Sequence, residues 1–477
     1  MSSGVWRSHR LRLLAGVWLV YSICPPFLSY DSYWSVATAV NLLERGTTQV
    51  DRFVAGAPRE ADYGLECVPA AGAPRKARVA EGCADGHWYS YFPVGTAVLA
   101  LPLLAAMKVV VAVVAPLVPH TGFFARREVA GFFTGDLLVG RPLSELWCAS
   151  TIGALTVWLQ YEIGLLFLAR RGAMWYALLF AFGTAEWSLV SRNLFPHGWT
   201  VLLLSGALYL LLRGRRLGLG GAGGSACVAG TPQALAGEAA SSGIGGAGGF
   251  AVGLLLALAF AVRPSNAISC VVLTLYVALH ERRRLAALVL GAAPVAVALA
   301  AYEILVRHAL IPIYLTESKG SNGFWEGVAI HFFSPSRGLF VFTPVFLVSV
   351  VGVVLAWRRR WLGPLSSYLA AILLLHALLV MTIWPGHCFG PRYFADMTHL
   401  LMLFLIPAVQ WWSERQGTAR TVLAAGFLLL AAAGVFVNGR GATSLAVNQW
   451  SILPVNVDDA HWRVWEWRDA QFLRGLR

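Results

Sequence analysis

The residues of this chain with the clearest chemical potential lie in short polar segments between long apolar runs. Asp31 belongs to the segment SYDSYWSVATAVNLLERG, which follows the first apolar run. Arg392 belongs to the segment WPGHCFGPRY at residues 384–393, directly before another apolar run. A carboxylate can accept a proton from an attacking hydroxyl, and a guanidinium can hold a phosphate. The two residues therefore predict a general base and an anion site.

Each of these two residues also has a simpler interpretation. The alternation of polar and apolar residues after Asp31 predicts a short amphipathic helix along the membrane surface, and Asp31 could merely cap that helix. Asp31 could also help to hold a divalent cation. Arg392 is predicted at the start of a helix, where the free amides favour an anion as well, but it could simply reach lipid headgroups.

Further arginines follow the same pattern of a charged residue where an apolar run ends. Arg263 lies in RPSN at residues 263–266, Arg337 in SPSRGLF at residues 334–340, and Arg192 with His197 in SRNLFPH at residues 191–197. One such arginine is typical of a headgroup anchor. Several on one membrane face favour recognition of a phosphate or pyrophosphate lipid.

Aromatic and histidine residues in the same segments are candidates for substrate binding. The segment HWYSYFP at residues 87–93 could stack on sugar rings or anchor the chain at the membrane interface. The predicted substrate-binding residues are Tyr33, His87, Tyr89, Arg192, His197, His387 and Tyr393. No metal-binding spacing, phosphate loop, serine-hydrolase elbow or dinucleotide fingerprint occurs in a supporting context. The sequence therefore makes no cofactor certain and predicts no metal-ligand set, while a divalent cation remains open as the alternative role of Asp31.

These segments are positioned by a chain that is strongly hydrophobic. The 477 residues are 57% hydrophobic and 13% charged, with a mean hydropathy of +0.64. Soluble domains carry roughly 25% charged residues. Apolar runs such as residues 99–117, 339–357 and 421–437 approach or reach the roughly 20 residues that cross a bilayer. The prediction is an all-α, multi-pass membrane bundle of about 11 to 13 spans.

The basic residues predict how the bundle is oriented. Clusters at residues 213–216, 281–284 and 358–360 indicate cytoplasmic loops, so the segments that contain Arg192, Arg263, Arg337 and Arg392 fall on the opposite side. The basic N-terminus places residues 30–92 there too, and we expect the first helix to be a retained signal-anchor. Since short loops explain the formal charge of +13, nucleic-acid binding is not expected. One inconsistency remains in the number of membrane crossings. The count from the N-terminus disagrees with the count back from the basic cluster at residues 213–216, so residues 94–146 must contain a re-entrant, split or miscounted segment.

The predicted organisation is a single membrane domain over residues 1–477 with three special segments. Residues 30–92 form the first extracytoplasmic loop, where Cys67 and Cys83 either form a disulfide or remain free thiols. Residues 217–249 are rich in Gly, Ala and Ser and predict a flexible cytoplasmic linker. Residues 438–477 form a Trp-rich extracytoplasmic tail, whose tryptophans suit an interfacial helix or, alternatively, a lid over a lipid or sugar site.

Six motifs spread over most of the chain resemble the GT-C class of multispanning glycosyltransferases, in particular bacterial relatives of the protein O-mannosyltransferase and aminoarabinose-transferase group (family 39-like). They are Asp31 after the first helix, YSYFPVGTAVLALP at residues 89–102, SRNLFPHG at 191–198, GLLLALAFAVRPSN at 253–266, SPSRGLFVFTP at 334–344 and GPRYF at 390–394.

The resemblance implies a polyprenyl-phosphate sugar as donor and an inverting hexosyl or pentosyl transfer to an envelope lipid, glycan or protein outside the inner (plasma) membrane. It maps the catalytic base onto Asp31, and the donor-phosphate site onto Arg392, then Arg263 and Arg337. The chain departs from the family at three positions. Ser32 stands where the family often has a second acid, Phe92 stands where it often has a lysine, and His197 stands where it often has another outer acid. An O-antigen ligase-like enzyme, a flippase or transporter of a lipid-linked saccharide, and a membrane scaffold are the alternatives. A transporter would favour internal repeats, and none is evident.

Overall fold

The chain folds into a helical bundle with one small sheet at one end. The computed structural model describes residues 2–27, 29–70, 74–119, 121–220, 246–309, 311–316 and 322–476. Its long helices are α1 (Ser2–Ile23), α2 (Tyr33–Arg45), α4 (Gly95–Val114), α6 (Arg141–Leu165), α7 (Arg170–Gly183), α8 (Pro196–Gly220), α9 (Gly246–Val262), α10 (Ala267–His280), α11 (Leu285–Leu305), α13 (Phe324–Phe333), α15 (Phe346–Arg358), α16 (Pro364–Val380), α17 (Thr398–Ser413) and α18 (Gly417–Thr443). The short ones are α3 (Asp51–Val54), α5 (Arg127–Phe133), α12 (Ile313–Thr316), α14 (Leu339–Phe342) and α19 (Leu445–Gln449). This confirms the predicted all-α membrane architecture.

The apolar runs account for these helices. Gly95–Leu117, Arg282–Leu305, Arg392–Ser413 and Gly417–Thr443 are long and apolar enough to cross a membrane, and four shorter helices are also apolar. A backbone in lipid must satisfy its own hydrogen bonds, and a helix does so within one segment. The run predicted at residues 339–357 is divided into α14 and α15, because Pro344 has no N–H for a helical hydrogen bond.

Contacts between helix ends define two faces of the bundle. At the inner face, Arg359 forms a two-pronged ion pair with Glu414, at 2.9 and 3.0 Å, and Arg10 of α1 donates to Glu162 of α6 at 2.8 Å. The predicted cytoplasmic basic clusters lie at this end: an added Cβ on Gly214 would meet the guanidinium of Arg284. The opposite ends form the outer face, which carries Asp31.

The contacts of helix α4 explain the inconsistency in the number of crossings predicted for residues 94–146. Its first residue, Gly95, abuts the backbone of Ala261 at the outer end of α9. Near its last turn, Lys108 pairs at 3.1 Å with Glu44 of α2, a helix of the outer face. Both ends of α4 therefore lie on the outer face, although its composition would allow a crossing. The chain then enters α6 from the same face, since Arg141 donates to the backbone oxygen of Ser29 at 2.9 Å.

An outer subdomain, residues 46–92, covers α2. Its three antiparallel strands are β1 (Leu65–Pro69), β2 (Arg75–Lys76) and β3 (Gly86–Ser90), in the order β2-β1-β3. Cys67 and Cys83 form a disulfide, which decides the question that their spacing left open. A separate apolar cluster centred on Trp34 joins the subdomain to α2, and buried Glu66 pairs with Arg307 after α11.

Two predicted segments differ from the structure. Most of the predicted linker, residues 221–245, lies outside the described residues, while its flanks 217–220 and 246–249 are helical ends of α8 and α9. The tail does not form one interfacial helix. Its described residues comprise the end of α18, the short helix α19 and 3-10 turns at His461–Trp465 and Gln471–Leu473, and backbone oxygens of its own loop accept hydrogen bonds from Arg463. Its tryptophans Trp462, Trp465 and Trp467 are nevertheless exposed.

Candidate functional site

The segment that carries Asp31 is anchored on α6. Ser32, which precedes α2, donates to the carboxylate of Glu145 at 2.7 Å, and Glu145 also accepts the backbone N–H of Leu194 at 3.0 Å. The residue at the N-cap of α2 is Ser32, with no side-chain cap hydrogen bond. The predicted surface helix is therefore present as α2, but Asp31 does not cap it. The Asp31 carboxylate is directed elsewhere.

Both oxygens of that carboxylate have partners from distant parts of the chain. Nη1 of Arg392 donates to Oδ2 of Asp31 at 2.7 Å, across a separation of 361 residues. The hydroxyl of Tyr63, in the outer subdomain, donates to Oδ1. The two residues that the sequence selected as base and phosphate clamp thus form one ion pair at the outer face.

The turn before α17 places Arg392. Gly390 has a φ of +60°, and a Cβ there would lie 2.4 Å from the ring of Phe342, so glycine is required on two counts. Arg392 then opens a 3-10 helix, Arg392–Met397, which leads into α17. Its guanidinium lies 5.2 Å from the ring centre of Tyr393 and donates weakly to that hydroxyl at 3.4 Å. Tyr393, predicted to bind substrate, is therefore part of the same site.

A second charged cluster lies beneath Tyr393 and is buried. Asp396 accepts from His197 Nδ1 at 2.7 Å and pairs with Arg263 Nε at 3.1 Å. Nη1 of Arg263 lies 2.7 Å from Nδ1 and 2.8 Å from Nε2 of His197. Arg263 and His197 are thus brought near the site, since the Arg263 guanidinium is 5.9 Å from the Tyr393 ring. Arg263 Nε also donates to the hydroxyl of Ser265 at 2.9 Å.

Two other predicted arginines are placed in structural surroundings. Arg337, predicted to hold donor phosphate, is fully buried and donates to Gln471, Ser451 and the backbone oxygen of Gly386 at 2.9 to 3.2 Å. It therefore anchors the tail. Arg192, predicted to bind substrate, is buried against α1 and donates to the backbone oxygen of Tyr21 at 2.6 Å.

The remaining predicted substrate residues do not join Asp31 directly. Tyr33 packs edge-to-face on Trp34 at 4.9 Å, and Tyr89 is buried in β3. His87 is exposed near Asp51, with 3.4 Å between their nearest atoms. His387 donates to the side-chain oxygen of Asn456 in the tail at 2.7 Å. Sugar binding by these four residues stays a prediction.

Three contributors were missed from the sequence. Tyr63 gave no signal, because only the folding of the outer subdomain brings it to Asp31. Asp396 was counted within the apolar run, although an acid four residues after Arg392 is unusual there. Glu145 was overlooked as a loop-end residue. Burial and the neighbouring Asp31 charge raise the pKa of Tyr63, so its phenol remains a hydrogen-bond donor at neutral pH.

The donor set around Asp31 does not fit a divalent cation. Its neighbours are a phenol and a guanidinium, which supply no anionic ligand. Within the described ranges, no group of three or more His, Cys, Asp or Glu residues is arranged to hold a metal ion.

Comparison with solved structures gives a distant resemblance. The structure is similar to a crystal structure of the Archaeoglobus fulgidus oligosaccharyltransferase tethered by a disulfide bond to an acceptor peptide containing the NVT sequon, with a TM-score of 0.48 and 10% identity. The aligned region covers 96% of this chain and 58% of that one, so the chain spans well under two thirds of that protein's length. No protein-family model matches the sequence, and neither does any curated protein.

Proposed function

We propose that this chain is a GT-C-like glycosyltransferase that moves a sugar from a polyprenyl-phosphate donor to an envelope acceptor at the outer face. The observation that carries the proposal is the contact between Asp31 and Arg392, 2.7 Å apart at the outer end of the bundle. A base and a phosphate-binding cation that meet at the membrane surface suit a donor whose lipid tail stays in the bilayer.

The chemistry assigns one role to each residue. The acceptor hydroxyl attacks the anomeric carbon of the sugar, and its proton passes to the Asp31 carboxylate. The bond between that carbon and the phosphate oxygen breaks, and the electron pair leaves on the phosphate. Arg392 stabilises the charge that develops there. Attack opposite the leaving group inverts the anomeric centre, and a lipid phosphate is released.

Neighbouring elements support this assignment. The Asp31 and Arg392 side chains both retain some exposure, so a ligand can reach them from outside. Arg392 Nε is buried and has no hydrogen-bond partner among the described residues, so the partly exposed remainder of the guanidinium is the part that a phosphate would meet. Positive clusters at the opposite end suit a cytoplasmic inner face, so the site would open to the outside of the inner (plasma) membrane.

The test is transfer in membranes that contain the full chain, supplied with a panel of radiolabelled polyprenyl-phosphate sugars. We expect label to move from at least one donor to a lipid, glycan or protein fraction, Asp31→Asn to abolish that movement, and Arg392→Ala to reduce it by about 10²-fold or more. The matched control is Arg360→Ala, since Arg360 lies in the basic turn after α15 at the inner face.

Two outcomes would contradict the proposal. Transfer that persists in both variants would remove the site assignment. Movement of an intact labelled donor across the membrane, with no transfer to any acceptor, would favour the flippase alternative.

A further inference from the structure

The partners of Asp31 differ in what a bound donor would do to them. Arg392 is the group that the donor phosphate would engage, and in the present structure its Nη1 is used by Asp31 Oδ2. A phosphate with a full negative charge competes directly for that donor. When the donor binds, Asp31 therefore loses all or part of its contact with Arg392.

Tyr63 holds the other oxygen and is not part of that competition. Its hydroxyl donates to Oδ1, and its ring packs edge-to-face on Phe92 with the ring centres 6.4 Å apart. After the donor has taken Arg392, Tyr63 is the remaining side chain of the described residues that holds the carboxylate. A base is effective only when it stays within reach of the proton that it accepts.

The outer subdomain fixes the position of Tyr63. Tyr63 belongs to the 3-10 helix Arg59–Gly64, which leads directly into β1 and the disulfide at Cys67. Trp34 of α2 donates to the backbone oxygen of Ala61 at 2.6 Å, and a Cβ on Gly64 would meet the same indole at 2.7 Å. The phenol is thus carried by a rigid element, independent of the helix that carries Arg392.

We propose that Tyr63 is a positioning residue for the transfer reaction. From the outer subdomain, its hydroxyl keeps the Asp31 carboxylate in place while the donor phosphate draws Arg392 away. The inference rests on the proposed function, and it predicts different kinetic effects: Arg392 contributes to donor binding as well as to the departure of the phosphate, whereas Tyr63 affects only the rate after the donor is bound.

The experiment measures transfer kinetics on the purified full-length chain in nanodiscs, with the polyprenyl-phosphate sugar that proves active in the membrane assay. For Tyr63→Phe, we expect kcat per folded molecule to fall about 10-fold with the donor KM unchanged, because one hydrogen bond to a charged group is lost. Arg392→Ala should instead raise the donor KM. Tyr63→Gln, whose amide can still donate, should recover part of the lost rate.

The matched control is Tyr302→Phe, which removes another outer-face hydroxyl, one bound to Thr48 at 3.3 Å, and should leave both constants as in the native chain. A Tyr63→Phe chain with native kcat, beside an inactive Asp31→Asn chain, would overturn the role of Tyr63 and leave the proposed function intact. A rate lost only in proportion to folded protein would also overturn it. Native transfer by Asp31→Asn would instead contradict the proposed function itself.

Discussion

Two acid–arginine pairs lie close together in this molecule, and they differ chiefly in exposure. In the outer pair, the Asp31 and Arg392 side chains are 26% and 15% exposed. In the buried pair, Asp396 is completely buried and Arg263 is 9% exposed, and His197 contacts both residues. Tyr393 lies between them, with both guanidinium groups within 6 Å of its ring centre.

The comparison separates chemistry from architecture. Buried opposite charges hold segments together, and removal of one partner leaves an uncompensated charge. The buried cluster of Asp396, Arg263 and His197 joins α8, α9 and the turn before α17 in this way. The outer pair keeps some exposure, so a ligand can reach it and replace one of its partners.

The largest effect is expected from removal of the buried acid. Asp396→Asn keeps the shape of the side chain but leaves Arg263 without its counter-charge, and it should lower the unfolding free energy by about 3–5 kcal/mol. Thermal unfolding in nanodiscs measures this as a lower melting temperature. The comparison fails if Asp396→Asn melts like the native chain.

The next effect belongs to the outer pair and concerns activity. Arg392→Ala should reduce kcat/KM for the donor by about 10²–10³-fold, because the departing phosphate loses its cation. The kcat/KM of Arg392→Lys should lie between that of the native chain and that of Arg392→Ala, since an ammonium cannot form the paired hydrogen bonds of a guanidinium. Transfer rates of the folded native and variant chains, measured over a range of donor concentrations, check this prediction. A melting loss as large as that of Asp396→Asn would mean that the outer pair is architectural as well.

The smallest of the three effects concerns the outer subdomain that brings Tyr63 to the site. Replacement of both Cys67 and Cys83 by serine opens a loop of 16 residues in sequence separation. It should cost the subdomain about 3 kcal/mol. Limited proteolysis should then cut residues 46–92 faster, and transfer should fall with it. Cys270→Ser, at a free cysteine, is the control. Equal proteolysis of both chains would contradict the prediction.

Much of the architecture could be predicted because it depends on local composition. Apolar runs specify helices, and the basic clusters at residues 281–284 and 358–360 specify one face. Helix α4 could not be assigned in this way, because a run that lies along the outer face has the same hydropathy as one that crosses. Only its contacts with Glu44 and Ala261 distinguish the two.

The site shows the same limit. Asp31 and Arg392 were selected because each stands at the end of an apolar run, yet Arg337 and Arg192 stand in the same local pattern and are buried in structural contacts. Exposure depends on which distant segments pack against a residue. The tail buries Arg337, and the pairing of β1 with β3 brings Tyr63 forward. Neither long-range contact can be predicted from the few residues on either side of Arg337 or Tyr63.

The most direct measurement exchanges the charges of the outer pair. A chain carrying both Asp31→Arg and Arg392→Asp keeps an ion pair at the outer face but removes the base from its place beside Tyr63. We predict a melting temperature close to that of the native chain and no detectable transfer from the polyprenyl-phosphate sugar. Restored transfer in the exchanged chain would show that the pair matters only as a structural contact, and would contradict its role in catalysis.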